Sequence, residues 1–257
     1  MAHPYLTGAA RPRVLAHRGL VPRDASGVAE NTRAAFAAAV AAGAVYLETD
    51  CHATKDGEVV LCHDADLVRL LGDSRRVAAV SHREFAELMS GRGGLLTLEE
   101  ALEEFPEARF NIDVKTLDAA EATGRIVAGH ADRVLLTGFS DEYRLRALRA
   151  AVGAGGRPAT SPGQRGLAGV LIALATRSRG RIARALSGFD ALQIPERHGI
   201  VRVLSPRLID AARDAGVEVH VWTVNDPRRM RELVDRGVSG IITDRADLAL
   251  GALGPGA

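Results

Sequence analysis

The chain has 257 residues, of which 47% are hydrophobic and 25% are charged, and its formal net charge is +1. These values are typical of a globular protein and argue against a nucleic-acid-binding surface or a disordered acidic tail, and no run of 18 apolar residues predicts a membrane span. The first 13 residues lack the charged and apolar regions of a secretory signal, so we expect a cytoplasmic protein.

Short apolar runs alternate with amphipathic stretches along the whole chain. Strands are predicted, in chain order, over residues 14–16, 45–50, 109–114, 134–137, 158–160, 191–194, 217–222 and 240–243. Helices are predicted between them, including residues 32–42, 118–129, 141–151, 206–215 and 227–236. Eight strand–helix repeats favour an α/β fold, a closed (β/α)₈ barrel forming one domain over residues 1–257. The alternative is an open doubly wound sheet, but the first strand is not followed by a glycine-rich dinucleotide fingerprint.

The segment after the second predicted strand departs from the regular repeat. Residues 54–57 have the composition of a turn, so residues 45–63 are predicted to extend into a hairpin above the barrel mouth. Residues 65–96 form a longer excursion, which we expect to lie over the site. Cys51 and Cys62 flank the turn; we expect two reduced thiols in a cytoplasmic chain, with a bond across the hairpin as the alternative.

Three carboxylates are predicted to meet at the barrel mouth. Glu48 and Asp50 are two residues apart, so their side chains lie on the same side of the second strand. Asp113 ends the third predicted strand in the same way. Such oxygen ligands suit one Mg²⁺ or Ca²⁺ ion, and without a cation the clustered charges would raise one another's pKa values. For each acidic residue taken alone, a structural role is the alternative.

Histidines and basic residues complete the candidate site. His17 ends the first predicted strand, Arg18 follows it, and His63 follows the hairpin. Histidine titrates near neutral pH and can act as acid or base. The chain contains only two lysines, and one of them, Lys115, stands two residues beyond Asp113, where a compact positive charge is useful. Together with the carboxylates, these residue types predict a site that cleaves phosphate esters.

Several short motifs follow one another in a specific order along nearly the whole chain. They are His17-Arg18-Gly19, Glu30-Asn31-Thr32, Glu48-x-Asp50, residues 54–57, His63-Asp64, Asp113-Val114-Lys115, residues 216–226 and residues 240–244. This order resembles that of the glycerophosphodiester phosphodiesterase family. The resemblance implies a TIM barrel, one divalent cation, and hydrolysis of glycerophosphodiesters to sn-glycerol 3-phosphate and an alcohol.

The resemblance also implies a role for each matching residue. These roles are metal binding by Glu48, Asp50 and Asp113, neutralisation of the phosphoryl oxygens by Arg18 and Lys115, acid and base catalysis by His17 and His63, and substrate binding by Glu30 and Trp222. We assign His17 as the base and His63 as the acid, although the sequence leaves the reverse order open. Core packing is the alternative for Trp222, and Asn31 and Thr32 serve either the site or the start of a helix.

Some residues depart from the family pattern. Ala29 stands where proline is usual, and the loop over residues 20–29 looks lengthened. Asp113 stands where glutamate is usual, as it does in the related sphingomyelinase D toxins; the Glu30-Asn31-Thr32 element and the expected lack of a secretion signal argue against that assignment. The alternatives are a lysophospholipase D or sphingomyelinase D-like lyase, which an apolar mouth would favour, and a non-catalytic phosphate-binding barrel.

The expected partner is a small-molecule glycerophosphodiester, and the oligomeric state stays open. Residues 177–184 contain four arginines. We interpret them as a solvated face, with peripheral contact to anionic lipids as the alternative.

Overall fold

The computed structural model describes residues 2–22 and 26–254. Within them the strands are β1 (Arg13–His17), β2 (Tyr46–Ala53), β3 (Val59–Leu61), β4 (Arg109–Val114), β5 (Val134–Thr137), β6 (Ala159–Thr160), β7 (Ala191–Pro195), β8 (Arg197–His198), β9 (Val201–Arg202), β10 (Glu218–Trp222) and β11 (Gly240–Thr243). Residues 23–25 of the predicted lengthened loop lie outside the described residues.

Helices alternate with the barrel strands. The α-helices of the described part are α1 (Arg33–Ala41), α2 (Val68–Leu71), α3 (His82–Met89), α4 (Leu98–Glu104), α5 (Leu117–Val127), α6 (Asp141–Gly153), α7 (Gln164–Ala175), α8 (Arg179–Leu186), α9 (Pro206–Asp214), α10 (Pro227–Asp235) and α11 (Ala246–Leu253). Short 3₁₀ helices span Pro4–Leu6, Val77–Ala79, Ser90–Arg92 and Ala128–Arg133. Across residues 2–22 and 26–254, none of the helices is both long enough and apolar enough to cross a membrane.

Eight parallel strands form a nearly closed barrel, which confirms the predicted fold class. Their order is β6-β5-β4-β2-β1-β11-β10-β7. The two end strands are joined by individual hydrogen bonds: the Asp190 amide donates to the Thr160 carbonyl (2.9 Å), and the Thr160 amide donates to Asp190 Oδ2 (2.9 Å). Further along, the Gln193 amide donates to Ser161 Oγ (3.0 Å). Side chains therefore complete the closure between β6 and β7.

The predicted hairpin after the second strand is present. β2 and β3 pair antiparallel, with Cys51 opposite Leu61. Both cysteines are free and buried, and they lie in different apolar clusters, Cys51 between barrel and helices and Cys62 in a smaller cluster. The excursion over residues 65–96 packs mainly on that smaller cluster, which includes Leu67, Phe85 and Met89.

The amino end of the barrel is filled by a buried ion pair. Arg13, which is 2% exposed, donates to both oxygens of Glu218, at 2.6 and 2.8 Å. It also donates to the Tyr46 hydroxyl (2.6 Å), while His220 Nε2 lies 3.0 Å from Glu218 Oε2. A buried carboxylate needs such partners because unpaired buried charge is costly. His220 thus belongs to a structural network.

We expect Glu218→Gln to change how stability depends on pH. Burial alone would raise the pKa of Glu218, but hydrogen bonds from Arg13 and His220 outweigh burial and hold this pKa well below its ordinary range. The ionised carboxylate therefore stabilises the fold above about pH 4.5, and this contribution is lost as the pH falls further. The variant should unfold about 3 kcal/mol more easily at pH 7, because Arg13 loses its counter-ion.

Urea unfolding at pH 7 and at acidic pH measures this effect. The variant should lose less stability on acidification than the parent protein. Asp210→Asn, which removes an exposed partner of Arg213, is the control and should leave both values nearly unchanged. Equal losses in Glu218→Gln and the parent would contradict the prediction.

Candidate functional site

A cavity of about 500 Å³ opens at the carboxyl ends of the barrel strands. Its polar lining includes His17, Arg18, Glu48, Asp50, His63, Asn111, Asp113, Lys115 and Gln193. Its apolar lining includes Phe139, Pro162, Leu167, Leu171, Pro195, Val201, Val203, Trp222 and Ile242. The structure therefore brings all but one of the predicted site residues to one cavity, and Glu30 is the exception.

The three predicted carboxylates lie together because of the strand register. Asp50 on β2 is the direct partner of Asp113 on β4, and His17 on β1 is the partner of Glu48. Glu48, Asp50 and Asp113 are 6%, 2% and 6% exposed. Parallel strands in register thus place three acidic groups in a nearly solvent-free space.

Two cations neutralise part of this acidic cluster. Lys115 Nζ lies 2.8 Å from Asp50 Oδ1 and 2.6 Å from Asp113 Oδ2. Arg18 Nε lies 3.2 Å from Asp50 Oδ2, and the Arg18 amide donates to Glu48 Oε2 (3.1 Å). Three carboxylates therefore share two positive charges, which leaves the cluster one positive charge short.

The pKa values of the three acids shift in different directions. Burial, together with the charge of Asp50, raises the pKa of Glu48 to about 8. Burial also raises the pKa of Asp113. Burial acts on Asp50 as well, but Lys115 and Arg18 outweigh it and lower the pKa of that carboxyl. Burial therefore disfavours the charged forms of Glu48 and Asp113, whereas the two cations favour the charged form of Asp50.

Each candidate catalytic histidine is bound to an aspartate. His17 Nδ1 lies 2.6 Å from Asp244 Oδ1, and His63 Nδ1 lies 2.6 Å from Asp64 Oδ1. This arrangement leaves Nε2 of each ring to exchange a proton, as in other aspartate-oriented histidines. Burial lowers the pKa of His17, but the hydrogen bond to Asp244 and the charge of Glu48 outweigh it and raise this pKa.

Glu30 stands behind Arg18 and links the two histidine loops. Glu30 Oε1 accepts from Arg18 Nη1 (2.8 Å) and from Arg69 Nη2 (2.6 Å), and Arg69 Nε donates to Asp64 Oδ2 (2.6 Å). A chain of charged contacts thus runs from the residue after His17 to the partner of His63. The excursion meets the site through Arg69, and residues 65–96, all of them described, line none of the cavity.

Left-handed backbone shapes the loop between β1 and α1. Arg18 and Asn31 have φ values of 57° and 56°, which are unfavourable for residues with a Cβ. The Asn31 amide group donates to Asp50 Oδ2 (3.1 Å) and its carbonyl oxygen accepts from Thr49 (2.7 Å). Asn31 therefore serves the site, whereas Thr32 caps α1.

Sequence reasoning missed several residues of the site. Asp244 follows the last barrel strand, and the same strand-end rule that selected His17 could have found it. Phe139 meets Trp222 edge to face, with ring centroids 5.9 Å apart. His52 lies with Nε2 3.1 Å from the carbonyl oxygen of His63 and supports the loop.

The carboxylates of the cavity have the oxygen donors that a hard cation prefers. In residues 2–22 and 26–254, no three side chains of His, Cys, Asp or Glu are grouped closely enough to hold an ion as they stand. Asp113 Oδ1, however, is buried and lacks a hydrogen-bond partner in the described part of the chain. A buried, unpartnered carboxylate oxygen beside two further carboxylates is the chemistry that Mg²⁺ and Ca²⁺ prefer, so the residues fit such an ion.

Comparisons with known proteins agree with this site. Residues 17–248 match the model of the glycerophosphoryl diester phosphodiesterase family. A Mycobacterium tuberculosis protein described as "Probable glycerophosphodiester phosphodiesterase 2" is 38% identical over 237 residues, which cover 91% of this chain and 88% of that protein. The chain belongs to this family and is a phosphoric diester hydrolase, a glycerophosphodiester phosphodiesterase.

Solved structures share the barrel. A glycerophosphodiester phosphodiesterase from Thermotoga maritima has a TM-score of 0.71 and 26% identity, with 93% of this chain and 96% of that chain covered. An Oleispira antarctica phosphodiesterase, solved in complex with the product sn-glycerol-3-phosphate, has a TM-score of 0.72 and 20% identity, with 95% and 97% covered. The second likeness concerns the fold alone.

We expect Gly19→Ala to lower activity, in addition to the loss of stability that the left-handed backbone conformation causes. Gly19 has φ +85°, and a Cβ there would lie 2.8 Å from the backbone of Ala35, so His17 and Arg18 would shift. Gly57, with φ +89° and open space around it, is the matched control. Both variants should lose about 1 kcal/mol of stability from the left-handed conformation.

Only Gly19→Ala should also lose roughly tenfold or more in kcat/KM, because small displacements of catalytic groups are expensive. Phosphodiester turnover and urea unfolding of the two variants provide the comparison. The displacement argument would be wrong if both variants retained parental turnover.

Proposed function

We propose that this single domain hydrolyses glycerophosphodiesters to sn-glycerol 3-phosphate and an alcohol by in-line attack at phosphorus. The observation that carries the proposal is that two aspartate-bound histidines, Lys115 and Arg18 surround one carboxylate-lined cavity. The family match and the product named for the Oleispira antarctica structure support the substrate class.

In this proposal the histidines move the protons. Nε2 of His17 takes the proton of the attacking hydroxyl, and Asp244 stabilises the resulting imidazolium. Nε2 of His63 gives a proton to the leaving alkoxide, with Asp64 holding the ring. The attacking hydroxyl is either water, which gives glycerol 3-phosphate directly, or the glycerol 2-hydroxyl, which gives a cyclic phosphate that water then opens to glycerol 3-phosphate. Phosphorus NMR during turnover distinguishes the two.

The basic residues bind the phosphoryl group. Lys115 and Arg18 lie beside the carboxylates. Their positive charges would stabilise the negative charge that develops on the phosphoryl oxygens. Glu30 holds Arg18 from behind and so orients the guanidinium towards the cavity. Trp222 and Phe139 form an apolar wall for the carbon skeleton of the substrate.

Glu48, Asp50 and Asp113 would hold one divalent cation, Mg²⁺ or Ca²⁺. When bound, such an ion supplies charge stabilisation to the phosphoryl group and acidifies the attacking hydroxyl. Asp113 Oδ1 lacks a hydrogen-bond partner among the described residues, and burial above all raises the pKa of Glu48. Both observations support the binding of a cation at this position.

Lysophospholipase D activity is the second candidate function. The apolar part of the cavity lining favours it, since Leu167, Leu171, Val201 and Val203 offer no polar partner to a head group. An acyl chain on the glycerophosphodiester would gain free energy by burial against these side chains.

We expect His17→Ala and His63→Ala each to lower kcat by about 10²–10⁴, as loss of an acid–base group does. His82, whose side chain is on α3 away from the cavity, provides the control His82→Ala, which should retain parental turnover. The measurement is release of glycerol 3-phosphate from glycerophosphocholine. Near-parental turnover of either cavity variant would remove that histidine from the mechanism.

We expect chelation by EDTA to abolish turnover and added Mg²⁺ or Ca²⁺ to restore it. Asp113→Asn should require more cation for the same rate, because it removes one of three charged ligands. Glycerophosphocholine and lysophosphatidylcholine are assayed side by side, so that exclusive cleavage of the lysolipid would favour the second function. Absence of turnover of both substrates with either cation present would point to a non-catalytic phosphate-binding barrel.

A further inference from the structure

A short hairpin stands beside the cavity mouth. β8 (Arg197–His198) and β9 (Val201–Arg202) pair antiparallel just after the carboxyl end of β7, and we name residues 197–202 the mouth hairpin. Its two cross-strand pairs face opposite ways, as neighbouring positions of a strand do. The His198–Val201 pair lines the cavity, and the Arg197–Arg202 pair belongs to the other face.

The outer face of the mouth hairpin carries two arginines that form no ion pair within the described residues. Arg197 and Arg202 are direct cross-strand partners, and like charges in that position destabilise a hairpin. In the described part of the chain both guanidiniums donate to backbone carbonyls, those of Ile200 and Leu204, and neither pairs with a carboxylate. The neighbouring Glu196 is held by Arg229 instead. An external anion would relieve the repulsion between the two arginines.

The turn of the mouth hairpin exposes a large apolar side chain. Ile200 is 93% exposed, more than any other large hydrophobic residue of the described part, and Val201 is 53% exposed. One exposed apolar residue is ordinary, but here it stands between two unpaired arginines. The apolar surface also continues inwards, since Val201 and Val203 line the cavity.

We propose that the mouth hairpin docks on an anionic lipid surface, with Arg197 and Arg202 at the head-group phosphates and Ile200 in the interface. An apolar tip flanked by basic residues has the charge and polarity that such an interface attracts. Docking in this orientation would turn the cavity mouth towards the lipid. The proposal stands independently of which alcohol leaves in the reaction.

Vesicle co-sedimentation of the full chain tests the docking. We expect binding to phosphatidylcholine vesicles that contain phosphatidylglycerol, weaker binding to phosphatidylcholine alone, and weakening by salt. The double variant Arg197→Glu/Arg202→Glu should bind anionic vesicles more than roughly tenfold more weakly, since each basic residue near such a surface contributes about fivefold. Ile200→Ser should lose roughly tenfold through lost apolar burial.

Matched controls lie on the C-terminal half of α6, which ends at the opposite side of the barrel from the mouth. Arg149→Glu and Val152→Ser, the latter at a residue 60% exposed, should bind vesicles like the parent. Arg197, Ile200 and Arg202 do not line the cavity. Turnover of glycerophosphocholine should therefore stay at the parental level in all these variants. Equal binding by hairpin and control variants, or no binding by the parent, would overturn the proposal.

A site-specific probe tests insertion of the tip. Cys51 and Cys62 are 0% and 1% exposed, so an environment-sensitive thiol dye should label Ile200→Cys selectively. Anionic vesicles should shift its emission to the blue, whereas dye on Val152→Cys should not respond. An unchanged spectrum at position 200, or the same shift at both positions, would overturn insertion of this hairpin.

Discussion

Burial of three carboxylates beside only two cations is the constraint on which the site depends. Glu48, Asp50 and Asp113 are all at most 6% exposed, and the charges of Lys115 and Arg18 leave one of them unbalanced. Burial of a charge is tolerated only where partners satisfy it. Burial first, and then the charge of Asp50, raise the pKa of Glu48, and a bound divalent cation would offset both effects.

The geometry around the acidic cluster follows from the need to hold Arg18 in place. Its left-handed backbone turns its amide towards Glu48 and its guanidinium towards Asp50, and Glu30 fixes the outer edge of that guanidinium. Glu30 also meets Arg69, so the excursion contributes a cation to the loop network rather than a cover over the cavity. These ionic, partly buried contacts connect the two histidine loops.

Strand-end residues were predictable from sequence because period and topology determine them. Two-residue spacing places Glu48 and Asp50 on one side of β2, and parallel strands bring Asp113 to the same edge. Arg69 was missed because its contact with Glu30 joins the excursion to the β1–α1 loop, far away in sequence, whereas Asp244 stands at a strand end and only its pairing with His17 required the structure. Lipid contact by the arginines of residues 177–184 stays an alternative that nothing tests, although α8 leads into the amino end of β7, away from the cavity. The strands of the mouth hairpin have two residues each, which is too short for a periodic pattern, so the sequence did not predict it.

The contacts of Lys115 explain the use of lysine at this position in a chain whose basic residues are nearly all arginine. Its ammonium contacts Asp50 and Asp113 on one side and lies 5.3 Å from the centroid of the Phe139 ring on the other. A guanidinium would bind a carboxylate through two fixed hydrogen bonds and would be larger, whereas an ammonium is compact and sits on a flexible stem. In the proposed mechanism the same charge balances the carboxylates and also binds a phosphoryl oxygen. The shorter Asp113 fits this arrangement, because one of its oxygens engages Lys115 while the other has no hydrogen-bond partner among the described residues.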